Sequence, residues 1–108
     1  QFLVNRIQTI VDVLGMECEW SGEYPGWQYK ENSKLREIAT QKYRELFGKE
    51  PRIEAIHAGL ECGYWAEKIK DADILSIGPD MLDVHTPNER VSKQSIKNVW
   101  ELLKAILA

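Results

Sequence analysis

Three apolar stripes at helical spacing, separated by short apolar runs, constrain this chain more than any other feature. Leu3, Ile7, Ile10, Val11 and Leu14 recur with the period of one helix face, and Gly15 stands where a left-handed cap would end it. Leu35, Ile38, Ala39, Tyr43, Leu46 and Phe47 make a second stripe, with Asn32 or Ser33 as N-cap and Gly48 and Pro51 as the stop. Ile96, Val99, Trp100, Leu103, Ile106 and Leu107 make the third, behind Ser92. Between the last two stripes, "RIEAIHA" (52–58) and "DILSIG" (73–78) read as short strands, and "YWAEKI" (64–69) as a short helix. The order from Ser33 onward is thus helix, strand, helix, strand, helix. Such alternation predicts an α/β fold, a parallel or mixed sheet covered by helices.

The first thirty residues have a different texture. After the first helical stripe, "MECEWSG" (16–22) alternates Met16, Cys18 and Trp20 against Glu17, Glu19 and Ser21, as a half-buried strand does. "EYPGWQYKEN" then breaks the pattern, with Pro25-Gly26 suited to a type II turn. This helix and strand belong to a sheet edge or to a neighbouring domain. The chain enters its first helical pattern at Gln1 without a leader, so it reads as a piece of something longer.

Charge and composition remove several function classes. The 108 residues carry 14 Lys and Arg against 17 Asp and Glu, and no segment concentrates the basic ones, which argues against binding nucleic acid through its phosphates. No apolar run approaches the roughly twenty residues that cross a bilayer. Cys18 and Cys62 are far apart and outside any CxxC arrangement, so two buried thiols in a reducing cytosol are the expectation. A redox role for Cys62 has no basic neighbour in sequence to support it.

In open α/β sheets ligands gather at the carboxyl ends of strands, and both loops in that position are chemically loaded. The first, "HAGLECG" (57–63), sets Glu61 among small residues that would let a ligand approach the backbone. The second, "IGPDMLDVHTPNER" (77–90), holds Asp80, Asp83 and His85 between Gly78-Pro79 and Pro87, with Glu89 following. The neutral imidazole of His85 is a natural zinc ligand, and the prolines reduce the entropy of fixing it. On pattern alone the histidine reads rather as a loop residue bonded to a carboxylate, Asp80 and Asp83 still more as turn formers, and Glu89 as an acidic group favouring a helix N-terminus.

"AIHAGLECG" followed by "SIGPDMLDVHTPNERV" resembles the C-terminal segment of the aminoacyl-histidine dipeptidases, also called cytosol nonspecific dipeptidases, within the larger clan of co-catalytic zinc peptidases. "GEYPGW" and "FGKEP" extend the resemblance over nearly the whole chain. It implies that residues 1–30 are the end of a lid or dimerisation domain with its linker, and that 31–108 are the C-terminal part of a catalytic domain. It further implies that His85, in the "HTP" element, is the last ligand of a two-zinc centre. Glu61 and Gly59 would lie near substrate or metals with His57 supporting them, and Asp80 or Asp83 would orient His85 through its second ring nitrogen.

The H-x-D motif, bridging aspartate, Glu-Glu pair and further aspartate ligand of such enzymes are not in this sequence. No catalytic residue is therefore expected here, and the 108 residues alone are expected to be inactive and to bind zinc poorly. The implied partners are a dipeptide of the Xaa-His type and the remainder of the parent enzyme, with a homodimer one option for assembly, in the cytoplasm. Nucleic acid and membrane are not expected. The competing reading is a non-catalytic α/β association module, whose uncovered helix faces and sheet edge would seek a partner.

Overall fold

The computed structural model describes residues 1–56 and 59–108. Its elements are α1 (Phe2–Val13), α2 (Lys34–Phe47), α3 (Glu61–Lys68), β1 (Met81–Leu82), β2 (Arg90–Val91) and α4 (Lys93–Leu107). The three long helices fall where the stripes place them. Ser33 caps α2 by accepting the Arg36 N–H at 3.0 Å, and Gly48 closes it in the left-handed region at φ 64. Ser92 caps α4 in the same way through the Ser95 N–H, and Gly15 follows α1 at φ 64. Each is a terminal backbone group satisfied by a short polar side chain or by a residue free of the left-handed penalty.

The strands differ from the expectation. Met81–Leu82 and Arg90–Val91 form a two-stranded antiparallel hairpin, Met81 opposite Val91 and Leu82 opposite Arg90, and this is the whole sheet among the described residues. Residues 16–22, 73–78 and 52–56 are in no strand, while His57 and Ala58, the end of the third expected strand, lie outside the described residues. A strand is defined by hydrogen bonds to a neighbour, and alternation or an apolar run in one segment does not supply that neighbour. The helix expected at 64–69 exists but begins at Glu61. Its start is set by tertiary contact. Gly63 is buried against Pro25, and the Tyr24 ring lies over Gly59 and 5.6 Å from that of Tyr64.

The segment after α3 is tied back to the start of α2. Asp73 Oδ2 accepts the Leu35 N–H at 2.9 Å, and Lys30 Nζ donates to the Asp71 carbonyl at 3.0 Å. The Leu35 N–H, then the Ser33 hydroxyl, hold the Asp73 carboxyl below its ordinary value, with smaller help from Lys30 and the Lys34 N–H against partial desolvation. A carboxylate depressed in the folded state stabilises fully above the unfolded value, about 3.9, and loses that contribution as pH falls through the folded one. The amide of Leu35 is therefore expected to lose hydrogen-exchange protection on acidification below about pH 4. Asp73→Asn should remove that pH dependence.

The packed core is small. Among the described residues, α2 lies against α4, where Ala39 and Leu102 are buried and Ser33 and Ser95 are the buried polar residues; Leu102 is outside the stripe expected for α4, whose Ile96, Trp100, Leu103 and Leu107 are exposed. Along α1, Phe2, Leu3, Ile10 and Val13 are all exposed, the last at 81%. The radius of gyration is 19.0 Å, where a compact chain of this length has about 13 Å. The accessible surface is 9575 Å², against about 6,200 Å² for a folded monomer of this mass. An open cleft of about 1110 Å³ runs between α2, α4 and the unpaired segments, lined by Tyr43, Phe47, Ile53, Ile74, Ile77 and Leu102. These apolar side chains face a space that the chain itself leaves unfilled.

Candidate functional site

The hairpin connection from Asp83 to Glu89 is two turns in succession. The Thr86 N–H donates to the Asp83 carbonyl at 3.2 Å and the Glu89 N–H to the Thr86 carbonyl at 3.1 Å. In the first turn His85 is the third residue and has φ 65, the left-handed conformation that a type II turn needs at that place and that glycine or asparagine usually supplies. In the second, Pro87 occupies the position for which its fixed φ is suited. Thr86 fastens the two together, its hydroxyl donating to the Asp83 carbonyl at 2.7 Å and accepting the Asn88 N–H at 3.2 Å.

A histidine at positive φ costs roughly 1–2 kcal/mol, so its surroundings must fix it there. Two carboxylates take part. Glu89 Oε2 accepts the backbone N–H of His85 at 3.0 Å. The Asp83 carboxylate, itself on a residue at φ 53, pairs with the Arg90 guanidinium, which also donates to the Asn88 carbonyl. Asp83 is thus engaged across the hairpin. The imidazole of His85 is exposed and makes no hydrogen bond among the described residues.

The base of the hairpin is anchored on α4. Ser95 Oγ accepts the Asp80 N–H at 2.9 Å while donating to the Ser92 carbonyl at 2.8 Å, and the Ser92 N–H returns to the Asp80 carbonyl at 3.0 Å. Asp80 therefore serves through its backbone. Ser95 is 6% exposed, so Ser95→Ala strands the Asp80 N–H beside an apolar methyl. A loss of about 1–3 kcal/mol is expected in denaturant melts, with Ser95→Thr recovering part of it.

Of the residues singled out by sequence, Asp80, Asp83, His85 and Glu89 share this hairpin. Gly59 and Glu61 do not join it through any hydrogen bond among the described residues: Gly59 lies under the Tyr24 ring, and Glu61 opens α3 with its side chain exposed. His57 is outside the described residues. Arg90, Thr86 and Ser95 escaped the sequence reading. Ser95 lies seven residues before Leu102, on the covered face of α4 that the expected stripe did not include.

The described residues contain no group of three or more His, Cys, Asp or Glu side chains placed to hold a metal ion. One exposed imidazole on a fixed backbone fits a single ligand position of a zinc centre, which needs at least three protein donors.

Comparison with known proteins gives the family. The model of peptidase family M20/M25/M40 matches residues 6–108. The chain belongs to that family. It is 37% identical over 106 residues to the cytosol non-specific dipeptidase of Escherichia coli (strain K12), covering 98% of this chain and 22% of the relative. It also matches the crystal structure of the aminoacylhistidine dipeptidase from Vibrio alginolyticus with a TM-score of 0.73 and 34% identity, over 95% of this chain and 21% of that one. The chain thus spans about a fifth of the length of these M20/M25/M40 relatives. Its open backbone course is similar to that of a stretch within a much larger enzyme. This agrees with the resemblance carried by "HAGLECG" and "DVHTPNER". No helix among the described residues is long and apolar enough to cross a membrane.

Proposed function

We propose that this chain is part of a zinc-dependent dipeptidase of the cytoplasm, in which His85 binds one ion of a two-zinc centre and the remaining ligands come from the rest of the enzyme. Residues 31–108 belong to the catalytic domain and residues 1–30 to the end of a lid. The observation that carries this reading is the exposed imidazole of His85, presented at φ 65 by a doubly bonded turn in a member of this peptidase family.

Zinc, when bound, polarises the scissile carbonyl and acidifies a water molecule. What the chain itself does is hold the backbone of His85 in one conformation, so that the exposed imidazole starts from a fixed Cβ. The Asp83–Arg90 bracket and Glu89 fix the backbone, and Ser95 fixes the hairpin against α4. The substrate class is a dipeptide, of the aminoacyl-histidine type that the name of the Vibrio relative states. Alone, the 108 residues are inactive, because one imidazole is not a closed ligand set.

The test is His85→Ala in the full-length protein, read as zinc per subunit and as dipeptide hydrolysis. Loss of both is expected, and full activity with two zinc ions retained would refute the assignment. The uncovered faces of α1 and α4, with Phe2, Leu3, Trp100 and Leu107 exposed, favour a second reading as a non-catalytic association module. An active His85→Ala enzyme would shift the balance to that reading.

A further inference from the structure

The geometry points to Glu89 as a positioning residue for His85: its carboxylate neither binds metal nor meets substrate, but accepts the His85 backbone N–H and so fixes the direction in which the imidazole leaves the loop. This rests on the reading of His85 as a zinc ligand.

A helix-preceding acidic residue ordinarily serves the helix. Glu89 instead turns back across the second turn, four residues, to the backbone N–H of His85, the residue held in the left-handed conformation. The two turn bonds, from Thr86 to Asp83 and from Glu89 to Thr86, leave the His85 N–H without a backbone acceptor. The Glu89 carboxylate supplies an acceptor through a bond of ordinary length, 3.0 Å. Without it, His85 is held by the turn from Asp83 to Thr86, the Asp83–Arg90 pair and Pro87 beyond Thr86, none of which bonds its own N–H. Its φ would relax toward the negative values that non-glycine residues prefer. That relaxation swings Cβ, and the ring beyond it, away from a shared metal.

The role needs an acceptor oxygen at the end of a side chain of this length and needs no negative charge, a requirement different from that of a carboxylate that binds metal. Glu89→Gln keeps the oxygen and drops the charge, while Glu89→Met keeps the length and has no comparable acceptor. Each is made in the full-length protein. Zinc affinity is measured by competition with a chromogenic chelator, and the thermal midpoint is recorded alongside. The expected result is affinity close to wild type for Glu89→Gln and about tenfold to 100-fold weaker for Glu89→Met, the range seen when a partner that orients a ligand is removed. The midpoint should be unchanged for both, and activity of Glu89→Met should return as zinc is raised. Equal weakening in the two variants would make Glu89 a charge-dependent ligand and overturn the inference, as would wild-type affinity in both. If His85→Ala in the same assay binds zinc as the wild type does, the zinc-ligand reading falls, and this inference falls with it. A normal Glu89→Met beside a defective His85→Ala removes the inference alone.

Discussion

Gly63→Ala is expected to destabilise the protein by about 3 kcal/mol, at the upper end of what overpacking usually costs. A Cβ at Gly63 would lie 2.3 Å from the Pro25 carbonyl oxygen and 3.3 Å from the carbon behind it. Those are backbone atoms, so no side chain can rotate away. Moving Pro25 would shift Tyr24, whose ring is held between Gly59 and Tyr64, and with it the start of α3. Gly26→Ala is the matched control, one residue beyond Pro25, since an added Cβ there meets nothing within 4 Å. It should leave the protein unchanged or raise its stability by about 0.5 kcal/mol through the unfolded chain. Denaturant melts of the full-length protein decide between them. Equal midpoints would mean that Tyr24-Pro25 does not press on α3.

His85→Ala is expected to have the largest effect on activity. Removing a partner that only orients a metal ligand costs about tenfold to 100-fold, and removing the ligand itself should exceed that. Among the described residues nothing stands in for it. Asp83 is engaged with Arg90 and Glu89 with the backbone of the same turn, so neither carboxylate is free to reach into the vacated position without opening the hairpin. Alanine is no better than histidine at positive φ, so the turn should also loosen. His85→Asn separates the two effects: asparagine tolerates the left-handed region but offers a poor zinc donor. Activity of His85→Asn near the His85→Ala level, with restored hairpin protection in hydrogen exchange, would assign the loss to the metal. Recovery of activity by asparagine would instead assign it to the backbone.

The helices were legible because their signals are local. Ser33, Ser92, Gly15 and Gly48 act on backbone groups within four residues of themselves, and the stripes they bound need no knowledge of the partner. The strands were not, because the alternation of "MECEWSG" and the apolar run of "DILSIG" supply no hydrogen-bonding neighbour, and these segments pair with none among the described residues. The early start of α3 was hidden for a related reason. Leu60 offers no capping side chain, and the helix begins where Tyr24 and Pro25 press on it from thirty-odd residues upstream. For the site, His85 stood out as a residue type, and the family motif gave it a role. Its left-handed backbone could not be read from "DVHTPNER", since a histidine in that sequence position gives no sign of positive φ. The duties of Glu89 and Asp83 follow from that hidden conformation. The first reads in sequence as a helix-end charge and the second as a turn former.

The grip of Ser95 on Asp80 makes α4 a lever with His85 at its short end. The helix is 15 residues, about 22 Å long at 1.5 Å per residue, and its far half is seated on α2 by Leu102. A tilt introduced at that seat is carried rigidly to Ser92 and Ser95 and from there, through two hydrogen bonds, into the hairpin. Packing variants on the covered side of α4 should therefore appear as altered metal affinity as well as altered melting. A mutational survey that scored only thermal stability would file those positions under the wrong cause.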